Sequence, residues 1–381
     1  MQVSFIVPYR DRAPKAVFRC LSSLLAQHTE INYQICFIDY GSQEENRQSV
    51  ADWITQNDPQ KRISYAYADT RGWLWCKSHA NNLALDMTTG DYVIAVDVDL
   101  IYPPFFLEKV KDFVASRCHF FYYCYMAPQD FKGYERINWQ EPLSFRLSNP
   151  SPIDTGLMGA PKTAFTSAGG FDEYYRIWGV EDGDMNLAIQ HLDYKQVVLP
   201  LNEGYAVHQW HPSNAQIDTM PRGWYEVMKK KKTNPRRFRP LLAQITEMRS
   251  AKHLFENGDV DKLAKFVFSI PIQQSYTLFF AAFERLTSGE AMLVAQDFDW
   301  IDTNPDSRLS GIFKKINRWL DQTPLSYRWV ELLTYQQEEV LDFYAVRDFL
   351  YYFLLNFDTR IQDYYLNVQA RQNISFLIIK K

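Results

Sequence analysis

The chain has 381 residues, of which 46% are apolar and 23% are charged, and its net charge is −4 at pH 7. This composition excludes disordered, collagenous and small disulfide-stapled proteins, and the charge argues against bulk attraction to nucleic acid. The length predicts two units of ordinary domain size. Aromatic residues make up 16% of the chain, enough to pack a large core and to stack on ligands.

Short β-branched and aromatic runs alternate with helical periods in the first half of the chain. The predicted strands are residues 3–8, 33–39, 63–67, 92–97 and 120–126. The predicted helices are residues 13–28, 44–56, 77–87 and 104–115. This alternation predicts an α/β domain with a Rossmann-like, mostly parallel sheet flanked by helices, and a ligand site at the carboxyl ends of the strands.

The pattern changes near residue 225, where a basic run begins. Seven positive charges without an acid lie between Lys229 and Arg239. We predict a first domain at 1–224, a basic linker at 225–240 and a smaller α-helical C-terminal domain at 241–381. In the last of these, helical spacing covers 254–268, 307–320, 330–343 and 346–357, with a strand signal at 374–379. The basic run is either a solvated linker or a surface for anionic lipid headgroups or for the pyrophosphate of a lipid-linked acceptor.

The cysteines and the lengths of the apolar runs indicate in which cellular compartment the protein is found. Five cysteines lie singly in the first third of the chain without a C-x-x-C pair, which is typical of a reducing environment. No stretch approaches the roughly 18–20 apolar residues that span a bilayer. The chain starts directly with a strand-like segment and has no signal-peptide pattern. We therefore expect a cytoplasmic protein, with residues 229–239 as a candidate peripheral contact at the inner face of the plasma membrane.

Two carboxylates follow the predicted strand at 92–97. Asp97 and Asp99 are separated by one residue, and in extended geometry such residues face the same side. Both carboxylates can then address one divalent cation, or one cation and one sugar hydroxyl. A D-x-D triplet alone is more often an ordinary strand-to-loop cap, so the other segments must decide.

Four other segments provide that context. Arginines follow the first strand, an acid and a glycine turn follow the second, a lysine opens the helix before D-x-D, and Gly-Gly-Phe-Asp-Glu leads to Trp-Gly-Val-Glu-Asp-Gly-Asp at 178–184. Together with D-x-D, these segments resemble the nucleotide-sugar-dependent glycosyltransferases of the GT-A fold, family 2. The resemblance is greatest to the β-1,4-galactosyltransferase-like and chondroitin-polymerase-like branch. It covers about residues 1–215 and does not reach the C-terminal domain.

The resemblance implies a set of donor-binding residues. A guanidinium pairs well with phosphate oxygens, so the two arginines of a P-F-R-x-R-like motif suit the diphosphate, and Arg10 is preferred over Arg12. Asp39 stands where relatives bind uracil or ribose. The full donor set implied by the resemblance is Pro8, Arg10, Arg12, Asp39, Lys77 and Asp97.

The resemblance also implies a metal site. Asp99 is the metal ligand of D-x-D, a histidine at the position of His211 completes the site, and His208 falls where galactosyltransferases use a methionine. A carboxylate with imidazoles suits Mn²⁺ better than Mg²⁺, which prefers oxygen ligands. We therefore expect Mn²⁺, with Mg²⁺ as the alternative.

Glycosyl transfer to an alcohol needs a base for the acceptor proton and a neutralised leaving diphosphate. By resemblance, Asp182 is the general base, Glu181 binds acceptor or donor hydroxyls, and Trp178 stacks on a sugar ring. A base opposite the diphosphate implies inversion at the anomeric carbon. Val180 replaces a glycine of the galactosyltransferase pattern and Gly183 replaces an aspartate, so the sugar specificity stays open.

The sequence thus predicts an inverting glycosyltransferase that moves a hexose or N-acetylhexosamine from UDP-Gal, UDP-GalNAc or UDP-GlcNAc. The expected acceptor is a glycan or a lipid-linked saccharide in bacterial surface polysaccharide synthesis, with no nucleic-acid partner and an open oligomeric state. A sugar-nucleotide pyrophosphorylase would need a glycine-rich loop after the first strand. A glycan-binding or scaffold protein on a decayed fold would lack an acid or a metal ligand.

Overall fold

The computed structural model describes residues 2–141, 143–149, 151–153, 156–212, 220–232, 249–258, 260–298, 341–369 and 372–381. The chain divides into two compact units, Met1–Pro240 and Leu241–Lys381. Helix Trp224–Lys232 occupies the first part of the segment expected to be a basic linker, and residues 233–240 lie outside the described residues.

Strands and helices alternate through the first unit, as predicted. The strands are β1 (Gln2–Tyr9), β2 (Asn32–Asp39), β3 (Ile63–Tyr67), β4 (Tyr92–Ala95), β5 (Leu100–Ile101), β6 (His119–Phe121), β7 (Tyr123–Met126), β8 (Arg146–Leu147), β9 (Met158–Pro161), β10 (Gln196–Val198) and β11 (Tyr205–His208). The helices are α1 (Pro14–Leu25), α2 (Glu44–Asn57), α3 (Lys77–Asp86), α4 (Phe106–Ala115), α5 (Lys162–Ser167), α6 (Glu181–Gln190) and α7 (Trp224–Lys232).

A seven-stranded sheet with the order β10-β6-β9-β4-β1-β2-β3 forms the centre of this unit. The β1 strand pairs in parallel with both β2 and β4, whereas β9 runs antiparallel between β4 and β6. Helices cover the sheet through apolar faces: α1 buries Val17, Cys20, Leu21 and Leu24, which recur at helical spacing. The predicted mixed α/β class with a large, mostly parallel sheet is confirmed.

A smaller sheet with the order β5-β11-β7-β8 forms beside the central one. The antiparallel pairing of β11 with β5 sets His208 opposite Leu100. The backbone N–H of Gln209 also donates to the carbonyl of Asp99 at 2.9 Å. This pairing brings two segments more than 100 residues apart to one place.

Two predicted strands of this unit have different limits. The strand expected at 92–97 ends at Ala95, and the chain then turns, with the N–H of Leu100 donating to the carbonyl of Asp97 at 3.1 Å. The strand expected at 120–126 is two strands, because the chain passes from the central sheet to the smaller one at Tyr122. All five cysteines are buried and free.

The second unit combines helices with a sheet. Its described elements are α8 (Ser250–Asn257), β12 (Ala264–Phe266), α9 (Ile272–Arg285), β13 (Ala291–Asp297), α10 (Phe343–Phe357), β14 (Ile361–Gln369) and β15 (Asn373–Lys380). The sheet order is β12-β13-β15-β14. Within the described ranges, no helix is both long and apolar enough to cross a bilayer.

Predictions for this unit were correct in part. The helix at 346–357 and the strand at 374–379 are confirmed as parts of α10 and β15. The helix at 254–268 is wrong in its second half, where β12 forms. The helix expected at 307–320 and most of that at 330–343 lie outside the described residues. The helical prediction for the C-terminal region did not include β13 and β14, because short apolar and aromatic runs fit a buried helix as well as a strand.

Candidate active site

Asp99, His208 and His211 form a cluster at the end of β11, which we call the carboxylate–histidine cluster. Their potential ligand atoms all lie within 4.8 Å of one another. His211 Nε2 lies 3.2 Å from Asp99 Oδ2, and His208 Nε2 lies 3.5 Å from Asp99 Oδ1. Asp99 is only 5% exposed, so these atoms meet in a nearly closed space.

Several polar atoms of this cluster lack a hydrogen bond within the described part of the chain. They are Asp99 Oδ1, His208 Nδ1 and His211 Nε2. His211 Nδ1 lies 2.7 Å from the carbonyl of Pro212, which can only accept, so Nδ1 donates to that carbonyl and Nε2 is the ring nitrogen that faces Asp99. Burying such atoms unpaired is costly. A divalent cation would satisfy Asp99 Oδ1 and His211 Nε2, so these residues fit a metal site.

Arg12 is the cation nearest to Asp99. Its Nη2 lies 3.1 Å from Asp99 Oδ2, and its side chain is 24% exposed. Burial opposes ionisation of Asp99, but His211, His208 and Arg12 outweigh it, so the pKa of Asp99 lies well below its ordinary value. Asp99 is therefore a carboxylate at any physiological pH.

A second group lies around the ammonium of Lys77, and we call it the lysine–acid cluster. Lys77 Nζ lies 2.7 Å from Asp97 Oδ1, 3.0 Å from Asp182 Oδ2 and 3.9 Å from Glu181 Oε1. Lys77 is the first residue of α3, and Glu181 is the first residue of α6. Two helix N-termini thus meet here, and their dipoles favour the carboxylates.

Burial and neighbouring charges raise the pKa values of two acids in this cluster. Burial, together with the charge of Asp182, raises the pKa of Glu181 to about 7. Burial also raises the pKa of Asp182, although Lys77 opposes that rise. The surrounding carboxylates overcome burial and keep the pKa of Lys77 well above its ordinary value. The cluster therefore holds one permanent ammonium and an acid, Glu181, that titrates near neutrality.

An unusual backbone segment leads into α6. Ile177, Gly179 and Val180 have φ values of 66°, 103° and 76°, in the left-handed region. A β-branched residue there is strained, and such strain is common at functional sites. The segment turns the chain so that Glu181 and Asp182 open the helix beside Lys77.

Gly156 closes the space behind Asp182. A Cβ on Gly156 would lie 2.6 Å from Asp182 Oδ2 and 2.8 Å from its Cγ. Any larger residue would therefore displace the carboxylate. Gly156 could not be predicted as a site residue from the sequence, because a glycine before a short strand carries no recognisable signal.

Residues 4–174 match the family model described as glycosyl transferase family 2. This segment is a family 2 glycosyltransferase domain. The match ends before Trp178, Asp182 and the two histidines, so it does not cover the second half of either cluster. No curated protein matches the sequence.

Several solved glycosyltransferase structures resemble this family 2 domain weakly. The mannosyltransferase PcManGT from Pyrobaculum calidifontis, in complex with GDP-Man and Mn²⁺, is 19% identical with a TM-score of 0.42 over 57% of this chain and 59% of that one. GalNAc-T7 with UDP, GalNAc and Mn²⁺ is 12% identical with a TM-score of 0.45 over 57% and 45%. S. aureus TarS 1–349 with UDP is 16% identical with a TM-score of 0.44 over 69% and 75%. The chain thus spans less than two thirds of the first two, and the family assignment rests on the sequence match.

Arg10 and Arg12, of which Arg10 was the preferred donor-binding residue, have different partners in the structure. Arg10 donates to the carbonyls of Tyr40, Trp73 and Thr70 at 2.5, 2.9 and 3.1 Å, and to Thr70 Oγ1 at 2.6 Å. Its guanidinium also lies 4.8 Å from the Tyr40 ring centroid. These bonds tie the end of β2 to the loop before α3, whereas Arg12 reaches the carboxylate–histidine cluster.

Asp97 and Asp99 do not address one cation together. Because β4 ends at Ala95, strand alternation no longer applies to them, and Asp97 faces Lys77 while Asp99 faces the histidines. The expectation that both carboxylates follow strand alternation is therefore wrong. The alternative of one cation and one sugar hydroxyl stays a prediction.

Three other predicted site residues have mixed surroundings. Asp39 is fully buried and accepts from the N–H of Ser42 at 2.9 Å and from Tyr65 at 3.3 Å, and burial raises its pKa. Pro8 is buried within β1 opposite Ile38. Trp178 is 45% exposed. The structure therefore does not bring Pro8 and Asp39 into either cluster.

Proposed function

We propose that this chain is an inverting, metal-dependent glycosyltransferase that moves a hexose or N-acetylhexosamine from a UDP-sugar to a glycan hydroxyl. One observation carries the proposal. Asp97 and Asp99 are two residues apart and belong to different clusters, so the candidate metal site and the candidate base at Asp182 lie on either side of one short turn. A bound sugar nucleotide contacts the metal through its diphosphate and the base through its sugar. The metal site and the base must therefore be no further apart than the length of the diphosphate and the sugar together.

Asp99, His211 and His208 would hold the metal. A carboxylate with two imidazoles suits Mn²⁺ better than Mg²⁺, which remains the alternative. When bound, a divalent cation supplies positive charge that favours departure of the diphosphate.

Arg12 is the side chain we assign to the diphosphate, in place of Arg10. Its guanidinium is partly exposed and already faces an oxygen anion, Asp99 Oδ2, at 3.1 Å. A planar guanidinium pairs with phosphate oxygens in the same way. An anion between Arg12 and the metal site would also separate two like charges.

Asp182 is the proposed general base. Its carboxylate accepts the proton of the acceptor hydroxyl while the hydroxyl oxygen bonds to the anomeric carbon and the bond from that carbon to the diphosphate breaks, leaving UDP. Lys77 holds the carboxylate in place and partly offsets its raised pKa. Glu181, with a pKa of about 7, can donate or accept a hydrogen bond to a sugar hydroxyl. Attack opposite the leaving group inverts the anomeric centre.

The remaining expectations stand as part of this proposal. They are a role in bacterial surface polysaccharide synthesis, a glycan or lipid-linked acceptor, a cytoplasmic or peripheral membrane location, and a catalytic domain at 1–224 followed by a separate C-terminal domain at 241–381. The decayed-fold alternative expects a missing acid or ligand. Both clusters keep every acid and histidine that the proposal needs.

The test measures UDP binding and UDP-sugar hydrolysis with Mn²⁺ across a panel of UDP-sugars. We expect Asp99→Ala to remove the metal dependence of UDP binding, and Asp182→Asn to keep UDP binding and lose UDP-sugar hydrolysis. The exposed Asp86→Asn is the matched control and should behave as the native chain does. Equal UDP affinity with and without metal in the native protein would contradict the proposed site.

A further inference from the structure

An exposed aromatic pair includes Trp178, which lies three residues before Glu181, the first residue of α6. Trp178 and Tyr225 are 45% and 39% exposed, and their ring centroids are 5.7 Å apart at an interplanar angle of 35°. The pair packs over Gly179, where an added Cβ would lie 3.0 Å from the Tyr225 ring. Large aromatic residues left in solvent beside a candidate active site indicate a ligand surface.

Helix α7 holds Tyr225 firmly in this position. Trp224 is fully buried and its indole N–H donates to the carbonyl of Arg176 at 2.9 Å. Met228, one turn later, is also fully buried. Because these two residues face inward, the helix presents Tyr225 and the exposed Lys229, four residues apart, on a common outward face.

We propose that Tyr225 and Lys229 form an acceptor subsite that extends from Trp178 and takes a saccharide carrying an anionic group. The proposal rests on the proposed function and adds the class of acceptor. Trp178 lies four residues before Asp182, so a sugar on this ring is near the base. Tyr225 then contacts the next sugar of the acceptor through its apolar face, and Lys229 pairs with a phosphate or carboxylate on it.

The charges on α7 favour this occupant over a neutral glycan. The helix carries Lys229 to Lys232 against a single acid, Glu226. Lys229 lies about 40° around the helix from Tyr225, whereas Lys230 lies about 140° away. The two lysines have the same charge and differ in the face they occupy, so Lys230 is the matched control.

The experiment uses the full chain with Mn²⁺ and UDP. Two probes are titrated by ligand-observed NMR: the methyl glycoside of a β-linked N-acetylglucosamine disaccharide, and the same compound with a phosphate on its reducing-end sugar. We expect the native protein to bind the phosphorylated probe about fivefold more tightly than the neutral one. Lys229→Ala should remove that preference, and Lys230→Ala should keep it.

Tyr225 is tested with the same two probes. Tyr225→Ala should weaken binding of both by about fivefold, and Tyr225→Phe should restore it because stacking needs only the ring. Equal affinity for the two probes, loss of the preference in Lys230→Ala, or no binding of either probe to the native protein would each overturn the proposal. Hydrolysis of the UDP-sugar, measured without acceptor, reports separately on the proposed function.

Discussion

The two clusters of the candidate site satisfy their charges in opposite ways. In the lysine–acid cluster, the chain provides its own cation, and Lys77 contacts three carboxylates. In the carboxylate–histidine cluster, buried atoms of Asp99, His208 and His211 have no hydrogen bond within the described residues. The first cluster therefore already contains a cation from the chain itself, whereas the second has buried atoms that a cation from solution would satisfy.

Removing the internal cation should have the largest effect. Lys77→Met leaves Asp97, Glu181 and Asp182 without their ammonium, and we expect transfer to fall by about 10³-fold. Because Lys77 opposes the burial that raises the pKa of Asp182, its loss should move the acidic limb of kcat/KM to higher pH. Lys77→Arg keeps the charge and should keep the position of that limb. An unchanged limb in folded Lys77→Met would show that the lysine does not act on the base.

Removing one ligand from the other cluster should affect the metal alone. We expect His211→Ala to lower the affinity for Mn²⁺ by about 100-fold, because one of three ligands is lost. Electron paramagnetic resonance of free Mn²⁺ measures this without any substrate. His28→Ala, at an exposed position, is the control. Equal Mn²⁺ binding by His211→Ala and the native chain would remove this histidine from the site.

Displacing the base without changing its chemistry should have a smaller effect. Gly156→Ala puts a methyl group 2.6 Å from Asp182 Oδ2, and a shift of the carboxylate by about 1 Å should reduce kcat by about 10–100-fold. Binding of UDP with Mn²⁺ should stay the same, since the carboxylate–histidine cluster is untouched. The control is Gly133→Ala, whose added methyl group would meet only the Phe131 side chain at 3.2 Å. A kcat equal to that of the control would contradict the positioning role.

The smallest effect concerns stability and its dependence on pH. The folded pKa of Glu181 is raised from 4.5 to about 7, so the folded state holds a proton that the unfolded state has released. That contribution to stability is present below pH 4.5 and is lost as pH rises through 7. Glu181→Gln should therefore stabilise the protein on the order of 2 kcal/mol at pH 8 and by much less at pH 5.

Thermal unfolding at the two pH values measures this difference. Glu45→Gln, at an exposed position, is the control and should change Tm by the same small amount at pH 5 and at pH 8. A Tm gain for Glu181→Gln that is the same at pH 5 and pH 8 would show that the carboxyl does not titrate in this range.

Local patterns predicted much of the first unit. The alternation of strands and helices and the carboxyl-end location of the D-x-D segment could be predicted because burial imposes clear periods on β1 to β4 and α1 to α4. The different partners of Arg10 and Arg12 could not be predicted from the sequence. Asp11 between them has a φ of 51°, so strand alternation does not give the directions of the two side chains. The meeting of Asp99 with His208 depends on the pairing of β5 with β11, and two-residue β5 is too short to have a period.

Val98 stands between the two acids of the D-x-D segment and is 7% exposed within the main apolar core. This one side chain anchors the turn from which Asp97 and Asp99 diverge, so neither carboxylate can move far without its neighbour. A cation at Asp99 that shifted this turn would therefore also move Asp97 relative to the ammonium of Lys77. Any such coupling would be reciprocal, so a ligand at the lysine–acid cluster would change the affinity for the cation by the same factor.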